Sequence, residues 1–171
     1  MRVAVNGCSG SGKTTLAMRV SERLDLPFTE LDALQHGAGW VPRPEFAADV
    51  HELLAAHGWV VEYGYDVRPA ILARADLMVW LDLPRWLCMW QVVARTVRRR
   101  VRREELWNGN REGPLWQVLT DPEHVVRWAW TTYPDAARRI DAVRVTRPDL
   151  PVVRLRSRRE VERWLVGLSK P

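Results

Sequence analysis

Two hydrophobic periods alternate along the chain, and the changes between them mark the predicted elements. Short continuous apolar runs predict buried strands, while apolar residues recurring every three or four positions predict amphipathic helices. The runs predict strands over residues 3–5, 26–31, 59–63, 77–81 and 152–155. Helical spacing or helix-start residues predict helices over about 15–24, 45–57, 67–74, 84–103, 121–130 and 157–168. This alternation predicts one α/β domain over residues 1–171, with a mainly parallel sheet covered by helices on both faces.

The first strand runs directly into Gly7-Cys8-Ser9-Gly10-Ser11-Gly12-Lys13-Thr14, which fits the pattern G-x-x-x-x-G-K-[ST]. The motif lies between a predicted strand and a predicted helix, which is the context required of a phosphate-binding loop. Its glycines let the backbone approach a phosphate, and the N–H groups from Ser9 to Thr14 meet the positive end of the helix dipole. Lys13 would contact the β- and γ-phosphates, and the Thr14 hydroxyl would join the Mg²⁺ shell.

Acidic residues fall near the carboxyl ends of three predicted strands, where ligands bind in parallel sheets. Asp32 lies where a carboxylate could orient or deprotonate an acceptor hydroxyl, and Glu62 could hold the water shell of Mg²⁺. Asp82 precedes Leu83-Pro84, so we interpret it as a helix cap. For each carboxylate the alternative is a solvated loop residue. His36, in the loop after Asp32, could contact an acceptor, but we favour its interpretation as a solvent-exposed loop residue.

The helix after Pro84 carries two stripes at helical spacing. One stripe is apolar and consists of Trp86, Trp90, Val93, Val97 and Val101; the other is basic and consists of Arg95, Arg98, Arg99, Arg102 and Arg103. A loop containing Asn108-Gly109, which alone suggests a tight turn, follows. The basic stripe fits a lid over about 95–114 that closes over phosphates, a solvated helix face, or a nucleic-acid patch with Trp107 and Trp116 as stacking surfaces. We favour the lid because the chain already has a phosphate cradle.

Composition and the apolar runs add four expectations. The net charge of +5 suits acidic partners such as nucleotides or nucleic acids. The apolar runs are too short to span a bilayer, and the first strand leaves no room for a signal peptide, so we expect a cytoplasmic protein. Cys8 and Cys88 are the only cysteines, and no structural disulfide is expected. The ten tryptophans are expected mostly in the core.

Together these residues resemble the P-loop kinases related to adenylate and shikimate kinases. The chain is more closely similar to the bacterial group often labelled adenylate-kinase-like or "DNA topology modulation" proteins. The resemblance covers nearly the whole chain and rests on Gly7–Thr15, Leu31-Asp32 with Gly39-Trp40, residues 59–65, Ala75-Asp76 with residues 79–82, and above all residues 103–112.

The resemblance implies a five-stranded parallel sheet in the order 2-3-1-4-5 with a mobile arginine-rich lid. It implies ATP and Mg²⁺ at the phosphate loop, through Gly7, Ser9, Gly10, Ser11, Gly12, Lys13, Thr14 and Thr15. Lid arginines among Arg95, Arg99, Arg103 and Arg111 would grip phosphates, and Arg156 to Arg158 would lie near the adenine. The acceptor would lie between Asp32, the Gly39-Trp40 loop and Arg68.

We therefore predict an ATP- and Mg²⁺-dependent kinase for a nucleotide or another small-molecule acceptor. The predicted catalytic residues are Lys13, Asp32, Arg99, Arg103 and Arg111; Thr14 and Glu62 serve the metal, and Arg156 serves ATP. The alternative is a nucleotide-dependent nucleic-acid-binding or regulatory NTPase, and a plain NTPase is a third possibility. The sequence leaves the oligomeric state open between monomer and homodimer.

Overall fold

The computed structural model describes residues 1–110, 121 and 124–168. Five β-strands, numbered in chain order, are Arg2–Gly7, Phe28–Thr29, Trp59–Glu62, Leu77–Leu81 and Val152–Leu155. The α-helices of the described residues, α1 to α8, are Lys13–Leu24, Leu31–Gln35, Phe46–Ala55, Arg68–Arg74, Arg85–Arg102, Val125–Thr132, Asp135–Thr146 and Arg158–Val166. Short 3₁₀ helices cover Ala38–Trp40 and Trp107–Gly109.

The strands form one parallel sheet in the order β2-β3-β1-β4-β5, which confirms the predicted fold class and strand order. β1 lies at the centre, with Val3 paired to Val60 of β3 and to Leu77 of β4. Helices cover both faces of the sheet, and the β4 residues are therefore all buried. This double burial explains why the strands read as continuous apolar runs rather than as alternating patterns.

Two apolar layers hold the helices against the sheet. On one face, α3, α4 and α7 pack over a buried cluster that includes Ala4, Met78 and Trp80. On the other face, α1 and α8 pack over a cluster that includes Val5 and Val79. Alternate residues of the same strands therefore serve opposite layers, and the carboxyl edge of the sheet stays accessible for ligands.

Two elements differ from the sequence prediction. The predicted strand 26–31 is shorter, and Leu31–Gln35 forms α2 instead, because this places Leu31 fully in the core. The second difference is α7, which the prediction did not include between the predicted helix over 121–130 and the strand over 152–155. Its buried residues Ala136, Ile140 and Val143 have helical spacing, so the signal was present.

The apolar stripe of α5 faces outward, a direction that the sequence pattern left open. Trp86 is 71% exposed and Trp90 is 68% exposed, while Cys88, Val92 and Thr96 form the buried side. Helical periodicity reveals that a stripe exists but not that it packs inward. The expectation that most tryptophans lie in the core is also wrong: among the described residues only Trp59 and Trp80 are fully buried. No described helix is long and apolar enough to cross a membrane.

Candidate active site

The loop between β1 and α1 has the backbone geometry of an anion cradle. The Ser11 N–H and hydroxyl both donate to the Cys8 carbonyl, at 3.2 and 2.8 Å. Gly12 precedes α1 with φ of 89°, in the left-handed region that glycine adopts most readily. No side chain caps the N-terminus of α1, so its first N–H groups are left for a bound anion.

Gly10 shows why the loop needs a glycine beneath α5. Its φ is 77°, and a Cβ built there would lie 2.4 Å from the Cys88 carbonyl oxygen. The loop is therefore in backbone contact with α5. Cys8 and Cys88 belong to one small buried cluster, and both are free thiols. Hydrogen bonding to Cys88 lowers the pKa of the Cys8 thiol.

Lys13 and Thr14 take up positions that suit their predicted roles. The Lys13 ammonium donates to the Cys8 carbonyl at 3.0 Å, which folds its side chain over the loop. The Thr14 hydroxyl donates to Glu62 Oε1 at 2.5 Å. Glu62 ends β3 and is only 8% exposed, and its backbone pairs with Val5 of β1. The two predicted metal-binding residues, 48 positions apart in the chain, therefore meet at the sheet edge.

A second group surrounds Asp32, which lies in the first turn of α2. The Tyr65 hydroxyl donates to Asp32 Oδ1 and lies 3.4 Å from His36 Nε2. Burial raises the pKa of the Tyr65 hydroxyl, and the negative charge of the Asp32 carboxylate raises it further. His36 is half-buried and packs edge-on against Tyr65 and Trp40, so its interpretation as a solvent-exposed residue is wrong. Tyr65 and His36 thus join Asp32 in one hydrogen-bonding cluster.

The loop after α5 bridges to the loop that follows Asp32. Asn110 is 4% exposed; its Nδ2 donates to the Gly37 carbonyl at 2.8 Å, and its Oδ1 accepts from the Trp40 N–H at 3.0 Å. Trp107 Nε1 donates to Glu30 Oε2 at 2.9 Å. The predicted tight turn lies between these contacts, with φ of 77° at Gly109. These bonds connect residues 70 or more positions apart and close the 106–110 loop over the Asp32 side of the site.

The three predicted catalytic arginines differ in their positions relative to the site. Arg99 is half-buried, with its guanidinium carbon 5.8 Å from the centre of the Trp107 ring. Burial raises the pKa of Glu30, and the Arg99 charge opposes that rise, so Arg99 lies near this carboxylate. Arg103 is exposed at the C-terminal end of α5 and has φ of 49°. Arg111 lies outside the described residues.

A pocket of about 250 Å³ lies on the other side of the phosphate loop. It is lined by Ser11, Gly12, Thr15, Leu16, Arg19, Leu81, Leu83, Gln91, Arg158, Val161 and Glu162. Arg19 and Glu162 pair across it at 2.5 and 2.6 Å. Of the residues 156–158 implied by the resemblance, Arg158 lines this pocket, whereas the Arg156 N–H donates to Glu160 at 2.8 Å.

The geometry also overturns the interpretation of Asp82 as a helix cap. No side chain caps the N-terminus of α5. Arg154 instead donates two hydrogen bonds to Asp82 Oδ2, at 2.5 and 2.8 Å, and its guanidinium lies 4.4 Å from the Trp80 ring centre. β4 and β5 are neighbours in the sheet, so this pairing is cross-strand and structural.

Comparison with known proteins supports the fold. No family model and no curated protein matches the chain. Among solved structures, it is similar to a gluconokinase from Sinorhizobium meliloti 1021, at 17% identity and a TM-score of 0.54, over 98% of this chain and 93% of that one. It is also similar to an unliganded sugar kinase from Janibacter sp. HTCC2649, at 19% identity and a TM-score of 0.50, over 96% and 92% of the two chains. These similarities support the α/β fold with a five-stranded parallel sheet that is typical of P-loop NTPases. The finer resemblance to the adenylate-kinase-like group stays a prediction.

Proposed function

We propose that the protein is an ATP- and Mg²⁺-dependent kinase that phosphorylates a hydroxyl of a nucleotide or another small molecule. One observation carries the proposal: the phosphate loop, the Thr14–Glu62 pair and the Asp32 cluster share one edge of the sheet, beneath the 106–110 loop. The solved structures of similar fold, a gluconokinase and a sugar kinase, are consistent with a small hydroxylated acceptor.

The donor side fits ATP. Lys13 and the free N–H groups at the start of α1 would bind the phosphates, since both supply positive charge to oxygens. The pocket beside Thr15 would take the nucleoside, with Arg158 within reach of it. The role of Arg158, like that of Arg156, remains part of this proposal.

The chemistry of Thr14 and Glu62 fits a magnesium site. Mg²⁺ prefers oxygen ligands and keeps several of its waters, and a buried carboxylate beside a hydroxyl provides oxygens without a full protein cage. Within the described residues no group of three or more His, Cys, Asp or Glu is arranged to hold a metal. Thr14 and Glu62 would therefore hold the ion together with the nucleotide phosphates. When bound, Mg²⁺ neutralises charge on the transferring phosphoryl group.

Asp32 is the residue we assign to the acceptor. Its carboxylate would orient the acceptor hydroxyl and accept its proton as the new oxygen–phosphorus bond forms. The Tyr65 hydroxyl now makes the hydrogen bond that an acceptor hydroxyl would make. Arg99 would add positive charge near the phosphates, and the closed 106–110 loop would limit entry of water. Roles for Arg103 and Arg111 stay predictions.

The test is ATP consumption with Mg²⁺ across nucleoside monophosphates, nucleosides, polyols and sugar acids, with DNA and RNA as a separate arm. A small acceptor should become phosphorylated while ATP yields ADP. Asp32→Asn should lower kcat at least tenfold with little change in ATP affinity, and Asp141→Asn, on the surface of α7, should change neither. Stimulation by nucleic acid alone, with loss of affinity as salt rises, would favour the nucleic-acid-binding alternative. Hydrolysis that no acceptor changes would favour a plain NTPase.

A further inference from the structure

The apolar stripe of α5 forms a large hydrophobic surface on the outside of the molecule. Its five residues, Trp86, Trp90, Val93, Val97 and Val101, are all exposed, and Val101 is 74% exposed. A whole Trp side chain has about 250 Å² of surface, so the two tryptophans alone leave roughly 350 Å² uncovered. With the three valines the stripe reaches roughly 500 Å², which is in the range of the largest apolar patches on monomeric proteins, and such patches often mark interaction sites.

The shape of the stripe favours another helix as its partner. Its residues follow one another at intervals of four, three, four and four positions. The first three intervals are those of a coiled-coil seam, which is narrower than the face that a helix presents to a broad surface. Exposed Arg98 and Arg100 border the stripe towards its C-terminal end, and exposed Ala94 lies beside its centre. The small side chain of Ala94 would let a second helix approach closely.

The two ends of the stripe differ in size and in charge. The N-terminal end carries the bulky, uncharged side chains of Trp86 and Trp90, whereas the C-terminal end carries the smaller Val97 and Val101. Residues 85–103 contain seven arginines and no acidic residue, and six of these arginines lie from position 95 onwards. Parallel alignment of two such helices would bring the basic ends together, which is unfavourable. Antiparallel alignment places each basic end against the tryptophans of the other helix instead.

Contact between arginine and tryptophan already occurs at the N-terminal end of α5. The guanidinium carbon of Arg85 lies 3.5 Å from the centre of the Trp130 ring, and its Nη2 donates to the Trp130 carbonyl at 2.6 Å. A guanidinium over an indole ring is attractive, and the attraction grows when water is excluded. In an antiparallel pair, Arg100 of one helix would lie near Trp86 of the other. The charges that oppose a parallel pair would therefore stabilise an antiparallel one.

We propose that the α5 stripe binds a second copy of this chain, with the two α5 helices antiparallel about a twofold axis at the middle of the stripe. A twofold interface must be complementary to itself, because each contact occurs twice. This alignment pairs Trp86 with Val101 and Trp90 with Val97, so that large side chains meet small ones. It covers about 1,000 Å² of apolar surface in total before the arginines are counted, which is the area expected of a specific interface. The proposal does not depend on the kinase function.

The first experiment measures the mass of the full chain in solution by sedimentation velocity, at protein concentrations from about 1 to 100 µM. The expected species is a dimer. Trp90→Glu and Val101→Glu should each weaken dimer formation by at least about tenfold, because the carboxylate enters an apolar contact in both copies. The matched control is Val166→Glu, since Val166 on α8 is 72% exposed and lies outside the stripe. Circular dichroism melting checks that the variants fold. A monomer at every concentration, or a dimer that neither stripe variant weakens, would overturn the proposal.

The second experiment tests the antiparallel direction by disulfide cross-linking under mild oxidation. Ala94→Cys places one thiol of each copy near the twofold axis, so the two copies should cross-link. Val101→Cys places the two thiols about 20 Å apart in an antiparallel pair, which is beyond the reach of a disulfide. The wild type is the control, because Cys8 and Cys88 are buried. No cross-link in Ala94→Cys, or an equal yield in Val101→Cys, would overturn the proposed pairing.

A third measurement separates a second copy from a lipid surface, because a helix with tryptophans and arginines also suits an anionic membrane. The probe is vesicles of phosphatidylcholine with about 30% phosphatidylglycerol, sedimented with the wild type. Dimer formation should persist or strengthen as salt rises, since salt screens the repulsion between two chains of net charge +5 and does not weaken apolar contacts. Vesicle binding by a chain that stays monomeric in solution would overturn the proposal in favour of a lipid surface.

Discussion

The contact between the 106–110 loop and the 36–40 loop depends largely on one side chain. Asn110 is buried and makes two hydrogen bonds that cross between the loops, to the Gly37 carbonyl at 2.8 Å and from the Trp40 N–H at 3.0 Å. Asn110→Ala removes both bonds and leaves a donor and an acceptor without their partners. We expect this change to open the loop.

The size of the effect follows from these two bonds. A hydrogen bond between uncharged groups contributes about 0.5–1.5 kcal/mol net, so the closed form should lose about 1–3 kcal/mol. This corresponds to about a 5- to 150-fold fall in the ratio of closed to open molecules. No residue of either loop belongs to the buried apolar clusters, so the loss should appear mainly as local opening, and the free energy of global unfolding should fall by no more than the same amount, about 1–3 kcal/mol.

Amide hydrogen exchange of residues 36–40 and 106–110 measures the opening directly, and both segments should exchange faster in Asn110→Ala. Under the proposed function, in which the closed loop limits entry of water, ATP hydrolysis per acceptor phosphorylated should rise as well. Asn108→Gly is the control, since it keeps the turn and removes only an exposed hydrogen bond to the His36 carbonyl. In Asn108→Gly we expect the exchange rates of both segments to change by less than about threefold. Unchanged exchange in Asn110→Ala would refute the closing role of this side chain.

Three further predictions follow from individual contacts. Gly10→Ala should lower the free energy of unfolding, measured with denaturant, by about 2 kcal/mol or more, because a Cβ there would meet the backbone of α5. Gly12→Ala, which shares the positive φ but has open space around the added Cβ, should lower it by about 1 kcal/mol. Equal losses would refute the packing argument. Glu30→Gln should stabilise the fold at neutral pH, because burial raises the folded-state pKa of Glu30 and so makes its charged form unfavourable. The gain in the free energy of unfolding should shrink as pH falls through that raised pKa towards the unfolded value of about 4. A gain that does not depend on pH would contradict this cause. Arg99→Gln should lower kcat by about 10- to 100-fold in steady-state assays. Arg98→Gln, on the exposed side of α5, should lower kcat by less than about threefold. Equal losses in the two variants would contradict the assignment of Arg99 to the site.

Local pattern was sufficient for much of the fold. The bounds of β4 match its apolar run, because a strand buried on both faces leaves an uninterrupted signal. The bounds of β5 also match the prediction, although β5 is an edge strand and its Arg154 is exposed. Ser157 caps α8 by accepting from the Glu160 N–H at 3.2 Å, as the capping box predicts. The phosphate loop could also be predicted, since it depends on one motif. The contact between Thr14 and Glu62 could be predicted because β1 and β3 are neighbours in the sheet.

Features that depend on long-range packing could not be predicted in this way. The outward face of α5 is an example, because periodicity carries no information on which neighbour a stripe meets. The contacts of Asn110 and the pairing of Asp82 with Arg154 connect residues about 70 positions apart.

The proposed function requires that the protein transfer the γ-phosphoryl group of ATP, bound at the phosphate loop, to a small acceptor. The most direct measurement is ³¹P NMR of the reaction with Mg²⁺ATP and the preferred acceptor, for the wild type, Lys13→Ala and Arg23→Ala, an exposed cation on the same helix. We expect a phosphorylated acceptor and ADP from the wild type and Arg23→Ala, and loss of both products, by at least about 100-fold, in a folded Lys13→Ala variant. Undiminished transfer by Lys13→Ala would contradict it.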